Sequence, residues 1–238
     1  MSNSLQSYLN SIGENSDHLQ MVLDRYPLKI ENRQEPFSKF LTRNQLTEDF
    51  VKNIALVLES PESFEAENFK SASIPVVLDY LKSTHQYYQS YYFSKIDRSI
   101  DNLYQLYSEA EELLDLLKLF FMDYQRDIHL HIAEEEEKLF PYIYKLLCLP
   151  SVTFKKRHKK GFSIAQFKKQ HNDENENALL QIINMIRQRY PAAGFSPLNI
   201  LLLQIQLFEK DLRIHSKIEE EVLLPKAEKL EKLVLNNY

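Results

Sequence analysis

Six residues of this chain have the types and spacing to hold metal ions. His131 stands four residues before Glu135, and a leucine, a second large apolar residue and a proline follow at Leu139, Phe140 and Pro141. The phrase recurs at His215, Glu219, Leu223, Leu224 and Pro225, and the two copies start 84 residues apart. Each copy is preceded by another histidine, His85 and His171. On an α-helix, residues four apart lie on one face, about 6 Å apart along the axis. Each copy therefore presents an imidazole and a carboxylate to one spot. In the first copy four glutamates, Glu134 to Glu137, compete for the role. The second copy has Ile218 at the plus-three position and Glu219 at plus four, so the shared position selects Glu135 and Glu219. Glu136 and Glu220 stand roughly 140° around the helix from the histidines, either in solvent or as supports behind the ligands.

Four imidazoles and two carboxylates suffice for two metal ions. Imidazole suits iron, copper, zinc and nickel, while carboxylates suit harder ions and bridge two metals well. A dinuclear iron centre fits this set, with zinc and manganese left open. With neutral histidines the ligands carry a charge of −2, and an oxo bridge between two ferric ions offsets more of the remaining charge. Haem is disfavoured, since no Cys-x-x-Cys-His occurs. His129 stands about 200° from His131, and His18 and His158 lie outside the helices that carry the pattern, so these three read as structural or exposed. Asp127, four before His131, is a candidate to orient an imidazole through its free nitrogen, and Asp173 and Glu174 are weaker ones. Tyr87, Tyr88, Tyr91 and Tyr92 read as packing between helices.

The elements that position these residues are helical. The chain has 238 residues, three glycines and no tryptophan, with long stretches free of glycine and proline. Such a composition favours helix and leaves little for hairpins. Residues 1–70 read as a small helical N-terminal domain, with Thr47 an N-cap for a helix whose buried face carries Phe50, Ile54, Val57 and Leu58. Residues 74–238 read as four long helices: one from Ile74-Pro75 with His85, one from a capping box at Ser108–Glu111 with His131, one from Ser163 with His171, and one from Ser196-Pro197 with His215. Short connections favour an all-α, antiparallel up-down-up-down four-helix bundle. Pro141 and Pro225 fall inside the second and fourth helices, where proline is expected to kink or break them.

Other classes are disfavoured. A formal charge of −5 with interspersed signs gives no footprint for nucleic acid. The lone Cys148 excludes an intramolecular disulfide and any all-cysteine metal site. The first residues show neither a basic nor an apolar signal region, and no apolar run is long enough to span a membrane. The cytoplasm is the default location. The basic stretch Lys155–Lys160 reads as a solvated loop.

Residues 74–230 resemble the hemerythrin-like, or HHE cation-binding, family. The resemblance is carried by His85, His131 with Glu135 and its Leu-Phe-Pro tail, His171, and His215 with Glu219 and its Leu-Leu-Pro tail. It implies that these six hold two iron ions in an oxo- and carboxylate-bridged centre. The whole chain is most similar to the group in that family that repairs iron centres, which carries a short helical domain ahead of the bundle. Where that group has Tyr-Cys-Cys-Gly-Gly, this chain reads Leu28 to Gln34 with no cysteine or glycine, so thiol chemistry there has no counterpart. The resemblance implies repair of iron–sulfur clusters or iron donation under nitrosative or oxidative stress. The alternative is a module that binds or senses oxygen or nitric oxide. The partners implied are a small diatomic ligand and damaged iron–sulfur proteins.

Overall fold

The computed structural model describes residues 16–26, 37–106, 111–148, 162–170, 188 and 196–236. Every regular element among them is helical. None of the described helices is long and apolar enough to cross a membrane. The expected capping box at Ser108–Glu111 begins outside the described residues, as do the segment Leu28–Gln34 and the basic stretch.

The chain divides into two compact units. The first comprises residues 1–87 and 214–225. Within it α1 (Ser16–Leu23) packs on α3 (Glu48–Glu59), and α2 (Phe37–Arg43) lies between them in sequence. Thr47 caps α3 as expected, its hydroxyl accepting from the Phe50 N–H at 3.3 Å. Phe50, Ile54, Val57 and Leu58 are all buried on the face the helical period selects. Two 3₁₀ turns, Pro61–Ser63 and Ala66–Phe69, lead into α4 (Ile74–Tyr87). Phe50 meets Phe69 and Tyr80 edge to face, with centroids 5.9 and 5.6 Å away. Such aromatic pairs add about 0.5–1.5 kcal/mol beyond the area they bury.

The second unit comprises residues 88–213 and 226–238. Its long helices are α5 (Phe93–Leu106), α6 (Glu111–Glu134) and α9 (Ser196–Lys217, to Arg213 in this unit), with shorter α7 (Phe140–Cys148), α8 (Ile164–Gln170) and α10 (Leu224–Asn236, from Lys226 in this unit). Helices α5 and α6 run antiparallel: Phe93 faces Phe121 and His129, Asp97 faces Gln125, Asp101 faces Lys118, and Tyr104 faces Asp115. The pairing of α5 with α9 is also antiparallel, since Phe93 meets Phe208 and Ser99 donates to Gln204. Phe208, fully buried, is the hub of this core, with Tyr88, Tyr92, Phe93 and Tyr124 around it. Glu231 on α10 accepts from the Tyr142 hydroxyl and from the Ile164 N–H, which ties α7, α8 and α10 together.

Candidate metal centre

Each potential ligand in the described residues sits at or beside a widened helical turn. His85 lies in the last turn of α4, and a π-helical turn, Tyr88–Tyr92, follows that helix. His131 lies in the last turn of α6, and the next π turn, Glu135–Leu139, opens on Glu135 itself. His215 lies in the last turn of α9, and the π turn Ile218–Leu223 contains Glu219. Prolines account for two of the three. Pro141 and Pro225 lack the N–H that the carbonyls of Glu137 and Glu221 would receive in an α-helix, and their rings would clash with those carbonyls. The turn before each proline widens instead, so that the Phe140 N–H donates to the Glu135 carbonyl and the Leu224 N–H to the Glu219 carbonyl. Of the expected kink or break, the break does not occur: helix continues through both prolines as α7 and α10. The turn at Tyr88–Tyr92 contains no proline, and we find no local cause for it.

The side chains come close within each unit. The rings of His85 and His215 lie 4.8 Å apart, tilted by 43°, and both residues are buried. Glu219, in the same unit, is 2% exposed. In the other unit His131 Nε2 lies 2.6 Å from Glu135 Oε1, the contact the four-residue spacing predicts. Glu135 is fully buried, whereas the His131 side chain keeps 23% exposure and gives this pair its access to solvent. Two groups of three residues bring one donor atom each to within 4.8 Å of one another: His85, Glu135 and His215, and His131, Glu135 and Glu219. Glu135 belongs to both. Two carboxylates buried among apolar helical faces carry a large desolvation cost unless positive charge accompanies them. Imidazole nitrogens beside carboxylate oxygens are the donor set of a borderline-to-hard metal cation. The residues thus fit a metal site on donor chemistry and on burial.

Of the six predicted ligands, five fall in described segments and all five enter these groups. His171 lies outside the described residues, as do Asp173, Glu174 and His158. Glu136 is half-buried and Glu220 exposed. His129 is exposed, with its ring 5.2 Å from Phe93, and His18 is half-buried. Tyr87, Tyr88 and Tyr92 are buried in packing, while Tyr91 is exposed beside Lys95.

Two residues near the ligands escaped the sequence reading. Asp127 is half-exposed, 3.8 Å from Arg126. Its counterpart in the second copy of the phrase, Asp211, is 1% exposed and accepts from the Tyr88 hydroxyl at 3.1 Å. The signal was available, since Asp211 precedes His215 by the same four residues that separate Asp127 from His131. Arg25, 3% exposed, donates through Nη1 to the hydroxyls of Tyr80 and Thr84 on α4. Nothing in the local sequence signals that link.

Comparison with known proteins gives one match. Residues 77–227 fit the family described as Hemerythrin HHE cation binding domain. No curated protein and no solved structure matches the chain.

Proposed function

Because the chain belongs to the hemerythrin HHE cation-binding family, we propose that His85, His131, Glu135, His171, His215 and Glu219 hold two iron ions in a non-haem centre. The observation that carries this reading is the pair of donor groups that share Glu135. A carboxylate with two oxygens can serve two cations at once; beside it, one group offers the imidazoles of His85 and His215 and the other the imidazole of His131 and the carboxylate of Glu219. Bound iron supplies a one-electron redox change and an open position for a diatomic ligand. The protein's own part is to hold the donors in place, to keep water from the buried carboxylates, and to leave the His131 side of the site accessible. In this reading residues 74–238 form the metal-binding bundle and residues 1–70 a separate N-terminal domain.

We further propose that the centre serves the repair of iron centres, by donating iron to damaged iron–sulfur proteins under nitrosative or oxidative stress. The layout of a short helical region ahead of the bundle supports this. A second reading, reversible binding or sensing of oxygen or nitric oxide, is favoured by one observation: the N-terminal helices touch the segments that carry His85 and Glu219. The two readings separate when reduced, iron-loaded protein is mixed with an enzyme whose iron–sulfur cluster has been damaged. Recovery of activity with loss of iron from this protein supports repair. Reversible spectral changes with the gas and no iron transfer support sensing.

Metal analysis after anaerobic reconstitution should give about two irons per chain, as dinuclear sites require. Glu135→Ala should lose both ions and Glu219→Ala one, with helical circular dichroism unchanged. Full metal content in both variants would refute the assignment of these carboxylates.

A further inference from the structure

We propose that Arg25 is a positioning residue for the metal centre, through which the N-terminal helical region fixes His85. Arg25 follows α1, and its guanidinium is buried against one side of α4. Nη1 donates to Tyr80 Oη at 3.0 Å and to Thr84 Oγ1 at 2.9 Å, while Nε donates to the Met21 carbonyl at 3.4 Å. The guanidinium carbon also lies 5.3 Å from the ring centre of Tyr80 and 5.6 Å from that of Tyr87. One side chain from the N-terminal region therefore grips α4 at three positions over its last two turns. Thr84 is fully buried and directly precedes His85.

The placement matters because α4 ends two residues after His85, where the regular hydrogen-bond pattern gives way to the π turn. A π turn interrupts the regular α-helical ladder, and the residues just before it lose part of the support that an unbroken helix gives. A ligand there needs outside support to hold its ring, and a rigid planar donor fork supplies it in a way a flexible ammonium does not. A buried guanidinium carries a desolvation cost that a surface contact would avoid, so its position is specified by its partners. A second brace lies in the same unit. The turn Ala66–Phe69 packs on the π turn Ile218–Leu223, which contains Glu219, and the Lys217 ammonium sits 5.4 Å over the ring of Phe64. The N-terminal region thus supports two ligand-bearing stretches, with Arg25 as the polar link to His85.

This inference rests on the metal reading above, and the test keeps the two apart. Wild-type protein, Arg25→Met, Arg25→Lys, Thr84→Val and the Met/Val double variant are loaded with ferrous iron. Release to a ferrous chelator is then followed, together with amide exchange of residues 80–87 in the metal-free forms. Loss of a charged hydrogen-bond donor should raise both the exchange and the release rate of Arg25→Met by about tenfold or more. Arg25→Lys should fall between it and wild type. The double variant should match Arg25→Met, because both substitutions remove one shared contact. Faster exchange with unchanged iron release would show a merely structural role and overturn the inference. If Arg25→Met does not fold, Thr84→Val decides: faster release at unchanged thermal stability supports the inference, and unchanged release overturns it. Wild-type protein that takes up no iron overturns the metal reading and this inference together. Wild-type protein that loads normally, with variants that release at its rate, overturns this inference alone.

Discussion

At the scale of single residues, Glu135 carries the most weight. It is the one carboxylate common to both donor groups, and it has no exposure to water. The sequence singles it out from four consecutive glutamates, because the second copy of the phrase places Ile218 where the first places Glu134. The grip of Arg25 on Thr84 was not legible. It joins residues 59 apart in sequence, and which arginine meets which hydroxyl is set by packing. Tyr142 offers a residue-scale test of the second unit. Burial first, then the hydrogen bond to Glu231 and the charge of that carboxylate, push its phenol well above the ordinary tyrosine value. The folded state therefore keeps this proton after the unfolded chain has released it. The resulting stability is whole below about pH 10, the ordinary tyrosine value, and is lost as pH rises from there toward the folded value. Thermal unfolding followed from pH 9 to 11 should show a steeper alkaline decline in wild type than in Tyr142→Phe. Parallel curves would mean that the phenol does not control that decline.

At the scale of elements, the helices were readable and their wide turns were not. Thr47 and the stripe Phe50, Ile54, Val57 and Leu58 carry local signals that the fold obeys. Proline inside a helix announces a disturbance without stating its form, since a kink, a break and a π turn all remove the same clash. Pro141 and Pro225 take the form that keeps the helix going, and the turn that results begins at or beside the ligand carboxylate. π turns are less favourable than α turns and are frequent at functional sites. Stability and metal retention should accordingly move in opposite directions here. Pro141→Ala and Pro225→Ala should stabilise the metal-free protein in urea by up to about 3 kcal/mol, the most that proline costs inside a helix. The same variants should lose iron to a chelator faster than wild type. Variants that are more stable and equally retentive would separate the π turns from the site.

At the scale of the molecule, an all-α hemerythrin-like domain with a helical N-terminal region follows from composition, period and motif together. The division into units was not legible, because it depends on contacts between residues far apart in sequence. Metal removal should be felt by the whole molecule. A ligand present at a thousand times its dissociation constant stabilises the folded state by about 4 kcal/mol. For a chain of this size each kcal/mol shifts the melting temperature by about 2–4 °C. Chelated protein should melt well below the iron-loaded form, and equal melting temperatures would argue against a centre bound tightly by the folded state alone.

The first unit is also discontinuous, since residues 1–87 are completed by residues 214–225. During synthesis the N-terminal helices leave the ribosome first and wait while residues 88–213 are made, roughly ten seconds at ordinary elongation rates. His85 cannot meet His215, nor the turn at Ala66–Phe69 its partner at Ile218–Leu223, until residues 214–223 have emerged. Any cation that needs both histidines must therefore be acquired after residue 215 has emerged, and a nascent chain stalled before residue 214 would expose the apolar face that segment covers.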